Sequence, residues 1–352
     1  MEANRSAKDI INALRRAQES GEPPDPELLD FRGVNFTDAD LSGLDLSGGD
    51  FSGCEMSRCN FSEARCPSAN FDGATLYQAR LDGTEFMGTT FREANLTECS
   101  ALKTGLGMTD LEGANFFNAR LEGATFVDAQ IRRADFRAAK MARSRLLEAD
   151  LEQADFSQAD LTDVDLRETN LDDTNFRYSI LKGAKLREVR NYTKANWIGA
   201  DIRDIDFTGA YLVRRHIIDE NYLYEFRHQS RVTRVVYFIW KWTSDCGRSM
   251  VRWGVFLLLN VILFACIYGA MDAFMPPDGP GSSHLTGLSD LAGGFIRYLY
   301  FSVVTFTTLG YGDVSPVSVP GQIILIIHIT LGYLGLGALL SILANKFASR
   351  GN

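Results

Sequence analysis

The chain has 352 residues, with 36 Lys and Arg against 45 Asp and Glu, and six cysteines. Its mildly negative mean hydropathy averages two unlike parts: residues 1–250 carry nearly all the charge, whereas 251–352 hold two long apolar runs. The surplus of nine acids lies within 31–212. The spacing of Cys54, Cys59, Cys66, Cys99, Cys246 and Cys266 gives neither a CxxC pair nor a small-scaffold pattern, so reduced apolar fillers are expected rather than disulfides or a zinc site.

The first 30 residues scatter charge and lack the apolar core of a signal peptide, which predicts that this end stays in the cytoplasm. Residues 6–20 read as an amphipathic helix with Ile10, Ile11 and Leu14 on one face, and Glu22 to Pro26 as a Pro-rich connector. Residues 1–30 are thus expected to form a capping helix and linker.

From Phe31 the chain repeats every five residues, as in Ala39-Asp40-Leu41-Ser42-Gly43 and Ala154-Asp155-Phe156-Ser157-Gln158. From Phe31 through Leu186 there are 32 positions five apart, nearly all Leu, Phe, Ile or Met, with Cys66 and Ala101 as exceptions. The residue two before is usually small. A period of five fits neither the ~3.6 of a helix nor the ~2 of a strand, so each pentad must turn a corner with its large and small apolar residues inside. This pattern resembles the pentapeptide-repeat family, A(D/N)LXX, over residues 31–212. The resemblance implies a right-handed quadrilateral β-helix with one pentad per face and four per coil; at ~4.8 Å per coil, about eight coils would stack to about 40 Å. After Leu186 the series resumes one residue late at Trp197, Ile202, Phe207 and Leu212, which predicts a bulge or short loop within REVRNYTK.

Residues 213–250 interleave basic residues with Tyr, Phe and Trp, as an amphipathic interfacial linker would. The segment reads either as a mechanical link or as a passive anchor, with Trp240 and Trp242 as belt residues in both cases. His216, His228 and His284 have no ligand-like neighbours at metal spacing and read as surface residues.

Trp253 to Met271 and Gly321 to Ala344 are apolar runs of about 19 and about 24 residues, each long enough to cross a bilayer. Lys241, Arg248 and Arg252 precede the first and Lys346 and Arg350 follow the second, while Asp272, Asp278, Asp290 and a single Arg297 lie between, so both termini are expected in the cytoplasm. Between the runs, Ser289 or Asp290 can cap a short helix, LAGGFIRYLYFSVVTF, that runs into TTLGYGD and is too short to span alone; it reads as re-entrant.

Helix, short helix, TTLGYGD, helix resembles the two-helix, pore-loop potassium channel family over roughly 251–346, so 251–352 is expected to be an all-α pore domain. The resemblance implies a potassium-selective channel that conducts K+ passively as a homotetramer in a lipid bilayer. Its selectivity filter would be Thr307, Thr308, Leu309, Gly310, Tyr311, Gly312 and Asp313. The carbonyls of Thr308, Leu309, Gly310 and Tyr311 and the Thr308 hydroxyl would hold K+ in place of water, and no other cofactor is implied. Leu309 stands where the family has Val. Tyr300 and Phe301 replace a pair of Trp residues, and Tyr300 can still reach Asp313. Val304 stands where some bacterial relatives carry a buried Glu, so Tyr300 and Val304 are the expected filter supports. In the second apolar run Gly332 falls at the family's hinge position, and Tyr333, Leu336, Leu340 and Ala344 match its cavity face, with a constriction at Leu340 or Ala344. Gly335 and Gly337 read as close-packing residues. His328 is either a neutral histidine bonded to the back of the pore helix or a proton sensor.

No segment carries Arg or Lys at every third position of an apolar helix, so no voltage sensor is expected. Some free pentapeptide proteins are acidic rods that mimic DNA toward topoisomerases. Here interspersed Arg132, Arg133 and Arg137 and the membrane tether favour a regulatory or assembly role, with no nucleic-acid partner expected. No nucleophile, base and orienting partner recur at usable spacing, so no enzyme is expected, and fusion of such a repeat to such a pore suggests a bacterial inner membrane.

Overall fold

The computed structural model describes residues 6–21, 29–274, 285–286 and 293–348. They fall into two compact units, Met1–Glu225 and Phe226–Asn352.

The first unit is a β-helix. Parallel bridges join each outward residue to the one 20 further on, from Asp30 with Asp50 to Asn170 with Arg190, so four pentads complete one coil. At each corner a four-residue turn closes, as in Val34 N–H to Phe31 C=O at 3.0 Å, and its third residue is left-handed. Glycine fills that place at Gly33, Gly43 and Gly53, but Asp38, Arg58, Glu63 and many others adopt the same positive φ. The Asp or Asn of the pentad explains itself here: its carboxylate or amide oxygen accepts from the N–H two residues on. Asn35 thus accepts from Thr37 at 2.8 Å and Asp155 from Ser157 at 2.8 Å, which braces the corner.

All the large residues five apart from Phe31 to Leu186 are buried. Phenylalanines stack coil upon coil: Phe116, Phe136, Phe156 and Phe176 follow at centroid distances of 4.8, 5.0 and 5.5 Å, and Trp197 ends the ladder at 4.7 Å from Phe176. Threonines at the small inward place return their hydroxyl to the preceding coil, as Thr84 does to Phe61 C=O at 2.7 Å and Thr104 to Leu81 C=O at 2.8 Å.

The expected slip is a short loop between Arg190 and Asn196, after which the bridges run 21 residues apart, from Asn175 to Asn196. The indole of Trp197 donates to Tyr192 C=O at 2.9 Å and pins this loop. Leu212, read from the sequence as the last pentad residue, lies instead in the first turn of a helix and is exposed.

Helices close both ends of the stack. Helix α1 (Ala7–Ser20) buries Ile10 and Leu14, and its Gln18 amide accepts from Asp45 N–H at 3.0 Å and donates to Gly43 C=O at 2.9 Å. Helix α2 (Tyr211–Gln229) buries Val213 and Ile217, and its Asn221 amide accepts from Gly199 N–H at 2.7 Å and donates to Trp197 C=O at 3.0 Å. At each end a carboxamide thus takes the place of a missing coil.

In the second unit, α3 (Arg231–Ser244) starts afresh from a reciprocal cap in which Ser230 accepts from Thr233 N–H and Thr233 from Ser230 N–H. Residues 213–244 of the expected linker therefore form two helices broken at Ser230, and a turn follows before Met250. Helices α4 (Met250–Phe274) and α6 (Val319–Ala348) contain the two apolar runs, and α5 (Phe295–Phe306) packs between them. A two-residue pairing of β1 (Leu285–Thr286) with β2 (Ser315–Pro316) lies beside α5 in the chain order. Leu258, Leu259 and Leu263 of α4 and Ile323, Ile326 and Leu334 of α6 stay exposed, a surface that needs lipid or further protein to cover it. The described α5 begins after Gly294; Ser289 and Asp290, together with Glu22–Pro26, Asp278, His284 and Arg350, lie outside the described residues.

Removing one ring from the stacked ladder leaves a cavity that the β-coils cannot collapse, so Phe136→Ala should destabilise residues 1–225 by about 3–5 kcal/mol in urea unfolding. Acid acts on the outer surface. The Arg167 guanidinium holds the Asp165 carboxyl below the usual carboxylate range through hydrogen bonds of 2.8 and 2.7 Å, and Arg203 does the same for Asp201. Such carboxyls stabilise the fold above their unfolded value of about 3.9 and lose that contribution as pH falls through the lower folded value. The urea midpoint should therefore drop progressively below about pH 4, and less steeply in Asp165→Asn.

Candidate functional site

The site is the stretch where α5 runs out. The helix does not stop sharply: Thr307 N–H bonds to Val303 C=O at 3.0 Å, Thr308 N–H to Thr305 C=O and Leu309 N–H to Val304 C=O, both at 3.1 Å. The Thr307 hydroxyl donates to Val303 C=O at 2.8 Å, and Thr308 Oγ1 donates to Thr307 C=O at 2.7 Å. Val304, buried in the last turn, thus holds the first residues of this stretch through its carbonyl.

Backbone handedness then alternates. Thr308, Gly310 and Gly312 have φ of 59°, 51° and 77°, while Leu309 and Tyr311 between them stay negative. Space is not what demands glycine here, because a Cβ at Gly310 or Gly312 would meet nothing within 4 Å; the positive φ is. A β-branched residue at positive φ is strained by about 1–3 kcal/mol, so Thr308 is held there by its neighbours against its own preference. The C-terminal end of α5, where peptide dipoles leave partial negative charge, adjoins this segment and favours a cation.

Asp313, at the far end, accepts a hydrogen bond from Tyr300 at 2.7 Å. Tyr300 sits on α5, so one side chain ties the helix to the end of the segment it leads into. Leu309 and Tyr311 are exposed in a single chain.

Behind the site α6 comes close. A Cβ on Gly332 would fall on the carbonyl of Phe306, the last residue of α5, and one on Gly335 would meet Leu257 at 2.8 Å and Phe306 at 3.5 Å. Gly337 has open space. Close packing, read from the sequence for Gly335 and Gly337, is therefore found at Gly332 and Gly335, and α6 runs through all three as one helix. Tyr333, Leu340 and Ala344 are exposed along α6, while Leu336 is half-buried against the cluster of Leu257, Val261 and Phe306.

His328 is fully buried. Its ring stacks on Phe264 at 4.0 Å, Nδ1 lies 3.3 Å from the Tyr268 hydroxyl and Nε2 lies 3.5 Å from the Ser302 hydroxyl. Ser302 itself donates to Val261 C=O at 2.7 Å, so the imidazole bridges α4 to the back of α5. Tyr268 and Ser302 carry no sequence signal that marks them; only the packing of three helices brings them to His328. Trp253 reads from the sequence as the start of an apolar run, yet its indole donates to Gly335 C=O at 3.0 Å and joins α4 to α6. Among the described residues no three His, Cys, Asp or Glu side chains cluster as metal ligands would.

Comparisons with known proteins likewise separate an N-terminal from a C-terminal part. Residues 29–53, 54–92 and 69–101 match the family model for pentapeptide repeats and 104–176 that for a pentapeptide repeat region, while 256–349 match the ion channel model. The voltage-gated potassium channel KCNC1 of Mus musculus is 33% identical over 94 residues, which cover 26% of this chain and 18% of the mouse protein. That of Rattus norvegicus is 33% identical over 94 residues, covering 26% and 15%. The chain therefore spans less than a fifth of the length of these curated relatives. Among solved structures, the pentapeptide repeat protein HetL from Nostoc sp. strain PCC 7120 is 20% identical with a TM-score of 0.38, covering 58% of this chain and 96% of its own. The plasmid-mediated fluoroquinolone resistance protein QnrB1 is 18% identical with a TM-score of 0.46, covering 53% and 95%. The chain thus joins pentapeptide repeats over 29–176 to an ion channel domain over 256–349, the latter similar to part of a voltage-gated potassium channel.

Proposed function

We propose that the protein is a K+-selective channel in which four copies surround one conduction path. The observation that carries this reading is the alternation of φ from Thr308 to Gly312 at the end of α5. A ribbon whose handedness alternates cannot pleat; successive peptides turn the same way, with N–H groups on one side and carbonyls on the other. Carbonyls of Thr308, Leu309, Gly310 and Tyr311 aligned in this manner, with the Thr308 hydroxyl at the inner end, supply the oxygen ligands that can replace water around a K+ ion. One chain supplies one such ribbon, so a closed ring of ligands needs copies around an axis, and the exposed Leu309 and Tyr311 leave room for them.

The remaining features fit the same role. Helices α4 and α6 are long and apolar enough to cross a bilayer, and the bond from Tyr300 to Asp313 fixes the outer end of the ribbon. The exposed face of α6 with Tyr333, Leu340 and Ala344 would line the water-filled approach, and an apolar ring at Leu340 or Ala344 would close it by dewetting. Gly332 serves this design first as the contact that seats α6 on the end of α5; a bend there would swing the lower half of α6 about a point already fixed to the filter. The basic residues flanking the two helices favour cytoplasmic termini, and the joining of such a repeat to such a pore favours a bacterial inner membrane. The repeat unit serves in a regulatory or assembly role.

K+ uptake into liposomes holding the full-length protein tests the reading. Wild type should admit K+. Gly332→Ala forces a methyl onto the Phe306 carbonyl and should lower flux by about tenfold or more, whereas Gly337→Ala should change it less than about twofold. Equal effects of the two substitutions, or no uptake by wild type, would contradict it.

A further inference from the structure

The four corners of the β-helix differ in chemistry. Three carry charge in most of the N-terminal and middle coils and none of these lacks it over more than one coil from residue 47 to 127, with Arg92 and Glu93 on one, Arg58 and Glu98 on the next, and Asp82 and Lys103 on the third. The fourth carries none from Ser47 to Val127. Pro67, Met87, Met108 and Val127 line it, with Gly88 and Gly107 between them. At one coil per ~4.8 Å these side chains form a stripe about 15 Å long. Met87 is 60% exposed and Met108 64%, unlike every inward-facing methionine of the repeat.

The carboxylates that flank the stripe are paired: Asp110 with Arg92 at 2.6 Å, and Glu85 with Arg65, which borders the strip on the same side one coil away, at 3.5 Å. Charge returns to the corner only at Asp128. Its composition is therefore not a gap in an otherwise random surface but a neutral, flexible, apolar strip bordered by small residues that permit close approach.

We propose that this corner is where the repeat units of separate copies of the chain meet. Where the same corner of each copy faces the shared axis, like residues meet, so any charge there is repeated and repels; a strip without charge is what such a contact needs. Methionine packs adaptably against itself. The inference rests on the tetramer reading in one respect: copies joined at the pore hold their repeat units at millimolar effective concentration, so a strip of this size suffices where it could not between free molecules.

Cysteine crosslinking in membranes tests it with the full-length protein. Cys246 and Cys266, the two that are not buried, are replaced by Ser and Ala, and a single cysteine is placed at Met108→Cys, Val127→Cys or Asn118→Cys. Met108 and Asn118 share the same left-handed backbone, φ of 55° and 56°, on opposite corners of one coil, so the last is the matched control. Oxidation should form the intermolecular disulfide at residues 108 and 127 on the order of tenfold faster than at 118. Equal rates at all three, or none at 108 and 127, would overturn the proposal. Native mass spectrometry of the same samples separates the two ideas: a tetramer without these crosslinks removes only the corner contact, whereas crosslinks without a tetramer remove the pore reading and leave the contact standing.

Discussion

Left-handed backbone at fixed spacing governs both halves of this protein. In the repeat it recurs every fifth residue and turns each corner of the β-helix; in TTLGYGD it recurs every second residue, at Thr308, Gly310 and Gly312. The same conformational element yields a closed coil in one case and an unpleated ribbon in the other, and only the spacing differs. Many corner residues are not glycine, so the repeat bears a small conformational cost at coil after coil. The stacked phenylalanines, the inter-coil hydrogen bonds and the Asp and Asn braces at the corners are what offset it.

Because each coil leaves its backbone groups to the next, the stack needs something at both ends. Gln18 and Asn221, on helices that have nothing else in common, solve this in the same manner, each offering one carboxamide oxygen and one N–H to the terminal coil. In the second unit the corresponding organising contact is between α5 and its neighbours. Gly332 and Gly335 let α6 touch Phe306, and His328 with Ser302 and Tyr268 fastens the other side of α5 to α4. The TTLGYGD segment inherits its position from that clamp, since its first residues are still hydrogen-bonded to the last turn of α5.

Much of this was legible in the sequence, for physical reasons. A five-residue period admits almost no other fold, and the positions of the large apolar residues mark the interior directly; even the slip after Leu186 appears as a change of phase. TTLGYGD between two apolar runs is equally narrow in meaning. What the sequence concealed depends on three-dimensional proximity. Nothing in a linear reading distinguishes Gly335 from Gly337, yet one lies against Leu257 and Phe306 and the other in open space. The capping role of Asn221 was hidden because α2 has basic and aromatic residues of the kind that also suit a membrane surface. Thr308 offered no hint of positive φ, since a β-branched residue adopts it only where its surroundings compel it.

The central claim is that the alternating ribbon from Thr308 to Gly312 selects K+ by replacing its hydration shell. The reversal potential of currents through the full-length protein in a planar bilayer, with K+ on one side and Na+ on the other, addresses it most directly. A K+-selective filter predicts a reversal potential close to the K+ equilibrium limit, with Na+ contributing little current. A reversal potential near zero, with Na+ and K+ carried equally, would contradict it.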